Sequence, residues 1–331
     1  MKETFKETFS KVYKFLWGWA VLEKNAASPT PETEYQRQKE GFDKTYKPET
    51  IDTPLKKILA VFYPLVLILT VVISFCLMVT KPFFTSLEKI SWRFWDFVRY
   101  TSVMMIVTLP FWFWWGILMM NYDPRYPAWN FFPWTVTGIS FLGQTLEDWL
   151  FYPVSILLAC VLFVYWEPWN QKDSKSKSKI PLDILIGVYV AASCFFFTVD
   201  LLSRSLVLLF STQILILYPL VRDRLSFIPT LTWLTLLTIY GSAWDHFAVN
   251  LFGVWLADAL GTHWAQSWNY VTIFPDGTIL QSKAIASYVT KPWAWIGRVA
   301  ISTSPWLSIV GSFHALVMSE AIRKYLVKPR C

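Results

Sequence analysis

Seven long apolar segments limit the folds open to this chain more than any other feature. A helix needs about 20 mostly apolar residues to cross the hydrocarbon core of a bilayer. Segments of about that length lie at roughly 58–79, 98–119, 147–166, 182–201, 205–221, 228–249 and 299–318. They lack the polar–apolar alternation of membrane strands, so their backbone groups must pair within helices. The sequence therefore predicts an all-α polytopic membrane protein with a bundle of about seven transmembrane helices.

Composition agrees with a membrane protein. Only 16% of the residues are charged and 54% are hydrophobic, whereas soluble domains carry about 25% charged residues. This excludes disordered, collagen-like and disulfide-scaffold classes. The four cysteines form no CxxC motif, and no two of the three histidines stand four residues apart. We therefore predict no metal, no cofactor and no nucleic-acid partner.

The first 55 residues differ from the rest of the chain. Apolar residues recur on one helical face, with lysines beside or opposite it: Phe5, Phe9, Val12, Leu16 and Ala20. This pattern predicts a basic amphipathic interfacial helix over residues 1–24, lying on an anionic leaflet or packed on the protein's own cytosolic face. Residues 25–55 are polar and contain three prolines, which predicts a linker. Residues 56–331 form the predicted transmembrane domain.

Orientation is predicted from basic residues in short loops. Three basic regions, at 170–180, 222–224 and 323–330, are separated by two predicted spans each. They therefore share one side, which we assign to the cytoplasm of a prokaryotic inner membrane. Seven spans would put the N-terminus on the opposite side, and an eighth crossing near 133–146 would reverse that. The same short stretch could instead be re-entrant or interfacial.

The acidic pair Glu147-Asp148 opens the third segment, in LGQTLEDWLFYP. One explanation is helix capping, because carboxylates are stabilised at the positive end of a helix dipole. The other is proton donation. Burial beside Trp149, Phe151 and Tyr152, together with a second carboxylate, favours the protonated carboxyl that a general acid needs.

Further polar residues lie near the later segments. Asp245-His246 ends the sixth segment, where it is either a hydrogen-bonded clamp between helices or a proton relay. His314, in the last segment, is predicted to be a packing residue rather than an axial ligand of a pigment. Glu320, near the tail, is expected to have little functional effect.

Aromatic residues are unusually dense, above all in FWFWW at 111–115. Rings attract cations through the negative charge on their faces, and they also stack on conjugated chains. The predicted pocket for a carbocation or a long polyene is walled by Trp112, Trp114, Trp115, Trp149, Phe151, Tyr152, Trp244 and His246. The alternative is that these residues are ordinary tryptophans and other rings facing lipid.

The run LGQTLEDWLFYP resembles the hallmark motif of the heterodimer-type lycopene cyclase domain family. Gly138-Ile139, the acidic pair and Phe151-Tyr152 match this motif, and Trp129-Asn130 is similar to its Trp-Asn element. Asp245 and Trp268-Asn269 look like the corresponding elements of a second unit. This second unit is degenerate, since it has no acidic pair. Thr145 replaces the usual proline of the motif, and Gly116 stands near the expected aspartate of the first unit.

The resemblance implies two three-helix units and a non-redox reaction on a linear carotene. An acid protonates the terminal double bond, the cation closes a ring with the next alkene, and a proton is lost. Glu147 would be the donor, with Asp148 or Asp245 tuning it or accepting the final proton, and no cofactor is needed. The alternative function is a non-catalytic membrane subunit that binds a carotenoid, quinone or lipid within a larger complex. A transporter is a third alternative.

Overall fold

The computed structural model describes residues 62–121, 129–131, 139–142, 144–174, 179–198, 201–245, 268–273, 279–281 and 300–327. The helices are α1 Phe62–Met78, α2 Lys81–Lys89, α3 Phe94–Asn121, α4 Leu146–Ser174, α5 Ile180–Phe197, α6 Leu201–Leu206, α7 Thr212–Val221, α8 Phe227–Asp245 and α9 Ala300–Tyr325. The strands are β1 Trp129–Phe131, β2 Ser140–Phe141, β3 Gln144–Thr145, β4 Trp268–Ile273 and β5 Ile279–Gln281. Each of the seven predicted apolar segments contains a helix, so the mostly helical fold is confirmed.

Fewer helices than predicted are long and apolar enough to cross a membrane. Four pass on length and composition, over Phe94–Leu118, Leu146–Asp173, Ile180–Phe197 and Ser203–Val221. A fifth is obtained if α1 and α2, which meet at a bend of 66°, count as one span. The apolar part of α8, Phe227–Ser242, is shorter. The helices of the described part therefore supply four or five candidate spans rather than seven.

Several predicted features lie outside the described residues. These are the amphipathic helix at 1–24, the linker at 25–55 and His246. Trp244 and Asp245 are the last two residues of α8, and the positions of their side chains also lie outside the description.

Hydrogen bonds between the helices define their directions. The Tyr63 hydroxyl at the start of α1 donates to Asp148 at the start of α4. At the other end of the same pair, the hydroxyls of Thr80 and Tyr165 lie 2.8 Å apart. The helices α1 and α4 are therefore parallel, and α4 packs between α1 and α3. In the second half of the chain, α9 packs between α7 and α8 in the same way.

A small sheet joins the two halves. β1 pairs with β4 in antiparallel register, with Asn130 opposite Asn269, Trp129 opposite Tyr270 and Phe131 opposite Trp268. β4 also pairs with β5. The two Trp-Asn elements predicted from the sequence thus lie against each other, related by a local twofold axis. The fold remains mostly helical, and the sequence indicated these elements but not that they form short strands.

The stretch at 133–146 contains no helix in its described part before α4. Residues Ser140–Phe141 and Gln144–Thr145 form a two-stranded antiparallel hairpin instead. The N–H of Leu146 donates to the carbonyl of Ile139 at 2.8 Å, so the hairpin is fixed to the first turn of α4. An eighth crossing helix is therefore not formed by these residues.

Candidate functional site

A cavity of about 210 Å³ lies between α1, α3, α4, α8 and α9, close to the start of α4. Its lining includes Tyr63, Thr70, Thr108, Trp112, Trp115, Asp148, Phe151, Tyr152, Tyr240, Gly241, Ser312 and His314. Asp148 is the one acidic residue among the lining residues in the described part of the chain, and none of them is Lys or Arg. The cavity therefore combines a single carboxyl with walls that carry no positive charge.

Asp148 is only 5% exposed and is held by two neighbours. The Tyr63 hydroxyl donates to Oδ1 at 3.0 Å, which orients the carboxyl group. The backbone N–H of Asp148 donates to Thr145 Oγ1 at 3.3 Å, so Thr145 caps α4. The first turn of α4 thus serves both as a capped helix end and as one wall of the cavity.

Glu147 is also buried, at 2% exposure, but it does not line the cavity. Consecutive residues on a helix point about 100° apart, and the rotation of α4 turns Asp148, but not Glu147, toward the cavity. The sequence favoured Glu147 as the acid, and the structure brings Asp148 to the cavity instead.

Trp112 is the centre of the aromatic wall. Its ring stacks on Phe210 at 4.0 Å between centroids and on Tyr152 at 6.0 Å. Trp115 meets it edge to face at 5.7 Å and donates from Nε1 to Ser205 Oγ at 2.7 Å. These contacts restrict both tryptophans to one arrangement, which gives the wall a fixed shape.

Two predicted pocket residues lie elsewhere. Trp114 is 55% exposed and does not line the cavity. Trp149 packs on Phe113 at 4.6 Å, and its Nε1 donates to the carbonyl of Phe141 in the hairpin. Trp112 and Trp115 line the cavity and Trp114 does not, because neighbouring residues in FWFWW point to different sides of α3. Gly241, one turn before Asp245, lines the cavity.

Hydroxyl groups make the rest of the lining electron-rich. Thr70, Thr108 and Ser312 donate to carbonyls of their own helices, at 2.8, 2.5 and 3.1 Å. A hydroxyl that has given its hydrogen in this way keeps its lone pairs. Beside the aromatic faces, such oxygens favour a positively charged ligand or intermediate.

At Gly116, α3 lies very close to the side chains of Gln144 and Tyr152, behind the aromatic wall. A Cβ at this position would lie 2.6 Å from both Gln144 Oε1 and the Tyr152 hydroxyl. Gln144 is fully buried, and neither atom of its side-chain amide has a hydrogen-bond partner in the part of the chain described. The motif that the sequence resembles has an aspartate near position 116, and here the Gln144 amide lies in the space that such a side chain would need.

His314 is a lining residue whose role the sequence did not indicate. Its Nε2 lies 3.1 Å from Gln213 Oε1. The ring meets Phe210 and Trp112 edge to face, with centroids 5.2 and 6.2 Å away. Only the tertiary structure brings it into the same cavity as Asp148, from a position 166 residues later in the chain.

A second polar cluster lies at the far end of α4, and we call it the ion cluster: Glu167, Asn170, Arg224, Glu320 and Arg323. Arg323 pairs with Glu167 and, at 3.7 Å, with Glu320. Arg224 reaches Glu320 at 3.0 Å. The Asn170 amide lies 3.1 Å from Glu167 and 3.2 Å from Glu320. Two buried carboxylates therefore meet two guanidinium groups, and charge is balanced within the cluster.

The ion cluster repeats a pattern in both halves of the chain. Glu167 and Asn170 end α4, and Glu320 and Arg323 end α9 with the same spacing of three residues. Residues three apart lie on one helical face, so each helix presents its pair to the other. From the sequence, Glu320 is expected to have little functional effect, because most of its partners are distant in the chain.

The predicted basic regions meet at this same end. Lys179 donates to the carbonyl of Leu225 at 2.6 Å, and partial burial lowers the pKa of its ammonium group. Lys324 pairs with Asp223 at 3.1 Å. Lys179, the turn after α7 and the end of α9 therefore lie together.

We find no cluster of three or more His, Cys, Asp or Glu side chains suited to a metal ion within the described ranges. Comparison with protein-family models, with curated proteins and with solved structures gave no match for this chain.

Proposed function

We propose that this protein catalyses the acid-driven cyclisation of an end group of a linear carotene. The observation that carries the proposal is the cavity that combines one buried carboxyl, Asp148, with electron-rich walls and, among its described lining residues, no Lys or Arg. The resemblance of LGQTLEDWLFYP to the lycopene cyclase domain adds the substrate class. No reaction in this scheme needs an oxidant or a reductant.

Cavity size favours a ring-sized guest. A cavity of about 150 Å³ binds benzene in another protein, so 210 Å³ is enough for one six-membered ring with methyl groups. It is too small for a whole forty-carbon chain. We therefore expect the end group to enter, while the polyene lies along the apolar surface or in lipid.

Asp148 is the proposed proton donor, in place of Glu147. Asp148 is buried and lines the cavity, so its carboxyl group can reach a guest there. Tyr63 orients the acid by donating to Oδ1. The rings of Trp112, Trp115 and Tyr152 then surround the cation that protonation creates. Groups placed in advance around a developing charge are the main source of such catalysis.

We also propose that seven helices cross the membrane, α1, α3, α4, α5, the α6–α7 pair, α8 and α9. Their alternating directions and the joint location of the three basic regions support this count. The positive-inside rule assigns the end with the ion cluster to the cytoplasm. The cavity then lies toward the opposite leaflet of the membrane.

The test is pigment analysis of a lycopene-producing bacterium that expresses the chain. Cyclic products are expected from the parent and none from Asp148→Asn, which keeps the shape but loses the transferable proton. Glu147→Gln should retain part of the activity, because Glu147 is not a cavity residue. The exposed acid Glu88 supplies the control, Glu88→Gln, expected at the parent level. Full activity of Asp148→Asn would remove Asp148 from the mechanism.

The second candidate function is a non-catalytic membrane subunit that binds a carotenoid, quinone or lipid. Asp148 favours it in one respect, since its backbone and side chain already serve the cap of α4 and the bond to Tyr63. In that case the parent would bind pigment without converting it, and Asp148→Asn would bind equally well. Absorbance of pigment that copurifies with each variant separates the two functions.

A further inference from the structure

His314 and Gln213 form a hydrogen-bonded pair whose direction is fixed. The side-chain NH₂ of Gln213 donates to the carbonyl of Leu209. This leaves Oε1, which can only accept, toward His314 at 3.1 Å. The imidazole must therefore donate from Nε2, and in the neutral ring Nδ1 is then the unprotonated nitrogen.

The helix that carries Gln213 explains why this geometry arises. A π-helical turn, Val207–Ser211, joins α6 to α7. The N–H of Thr212 bonds to the carbonyl of Val207, five residues earlier. Carbonyls within the turn are taken by side chains instead, Leu208 by the Thr212 hydroxyl and Leu209 by Gln213. Such turns occur often at functional sites.

The imidazole itself is immobilised. His314 is buried, and its ring is held edge to face by Phe210 and Trp112. Nδ1 has no hydrogen-bond partner among the residues that the structure describes, whereas Nε2 is engaged. Burial also favours the neutral ring over the imidazolium. A neutral base with one open nitrogen thus lines the cavity that holds Asp148.

We propose that His314 is the base that removes the last proton in the cyclisation, with Gln213 as its positioning residue. This inference rests on the proposed function. Asp148 gives a proton to the terminal double bond, and the resulting cation forms a carbon–carbon bond with the next alkene. The ring cation then loses a proton from an adjacent carbon to Nδ1, and that C–H electron pair becomes the new double bond. Transfer of the proton from the imidazolium back to the Asp148 carboxylate restores both groups, so the reaction is a net isomerisation.

A weakly basic imidazole is sufficient for this step, because a C–H next to a carbocation is strongly acidic. Three carbons neighbour the cation in such a ring, and loss of a proton from each gives a different double-bond isomer. The position of the base therefore selects the product. A residue with only a packing role would not control the isomer ratio.

The experiment measures kcat, KM and the ratio of ring isomers in lycopene-loaded proteoliposomes for the parent, His314→Gln and Gln213→Leu. We expect His314→Gln to lower kcat by about 100-fold or more, the range of general-base catalysis, with little change in KM and a changed isomer ratio. Gln213→Leu should change the ratio in the same direction, with a smaller loss. The control Thr212→Val, which removes the neighbouring bond to Leu208, should keep the parent ratio.

Two further measurements check that the variants are folded and that Gln213 fixes the tautomer of His314. Thermal unfolding of each purified variant in detergent identifies one that has simply lost its fold. Nitrogen NMR of labelled histidine should find the Nε2–H tautomer in the parent and a mixture in Gln213→Leu. A folded His314→Gln protein with the parent's kcat and isomer ratio would overturn the role of His314 and leave the proposed function intact. A parent without cyclase activity would overturn both.

Discussion

The two ends of α4 bury carboxyl groups in opposite surroundings. At its start, Asp148 lies in a cavity beside aromatic rings and accepts from a neutral hydroxyl. Some twenty residues later, Glu167 is fully buried against Arg323, and Glu320 of α9 is matched by Arg224. The first end has space for a guest, and its described lining residues include no Lys or Arg. The second end has two arginines, Arg224 and Arg323, for its two carboxyl groups.

This difference distinguishes a carboxyl group that can take part in a reaction from carboxyl groups that hold the helices together. A buried carboxyl group paired with arginine is costly to disrupt, because removal of one partner leaves the other without compensation. A buried carboxyl group that lines a cavity, as Asp148 does, can instead reach a guest molecule there. Burial alone therefore does not identify the functional acid of this chain. The balance of charge and the neighbouring cavity do.

Removal of Arg323 should have the largest effect on stability. Arg323→Met leaves Glu167 and Glu320 buried with one guanidinium group instead of two. The free energy of unfolding should fall by about 3–5 kcal/mol, as for other broken buried pairs. Unfolding in mixed micelles, followed by circular dichroism, measures this loss. The double variant Glu167→Gln with Arg323→Met should recover part of it, and no recovery would argue against a charge-balanced cluster.

Gly116→Ala tests the packing behind the cavity. Its new Cβ would lie 2.6 Å from Gln144 Oε1 and the Tyr152 hydroxyl, so both must move. We expect a loss of about 1–3 kcal/mol from overpacking, measured by thermal unfolding. Gly187 is the matched control, because a Cβ there meets no atom within 4 Å. Gly187→Ala should instead raise stability by about 0.5–1 kcal/mol.

Tyr63→Phe sharpens the comparison at the cavity end. It removes the donor to Asp148 while keeping the ring, so stability should fall by about 0.5–1.5 kcal/mol. Product formation should fall as well, since the acid loses its orientation. Tyr325→Phe is the control, because that hydroxyl is exposed and its contact with Leu220 is weak, at 3.5 Å. Equal losses from both variants would contradict the role given to Tyr63.

Lys324→Met should have the smallest effect. Lys324 adjoins Arg323 in the chain, but it pairs with Asp223, which is largely exposed, at the surface. Surface ion pairs contribute about 0–1 kcal/mol, so unfolding should change little. A loss as large as that of Arg323→Met would show that the ion cluster extends to the surface.

Local patterns in the sequence were sufficient for much of the fold. The apolar segments specified the helices, since helix formation follows from composition and from backbone pairing within a segment. The Trp-Asn elements and the basic regions were located correctly as groups. The pairing of Asn130 with Asn269 was not predictable, because strand register depends on contacts between residues 139 positions apart.

The site depended on tertiary structure in two ways. The acidic pair, the FWFWW run and Gly116 could be read from the sequence. Which member of each set faces the cavity depends on how α3 and α4 are rotated against their neighbours, and this gave Asp148 and Trp112 rather than Glu147 and Trp114. The roles of His314 and Glu320 arose only from packing. His314 contacts Gln213 of α7, and Glu320 contacts Asn170 of α4. No local sequence pattern connects either residue on α9 to these partners.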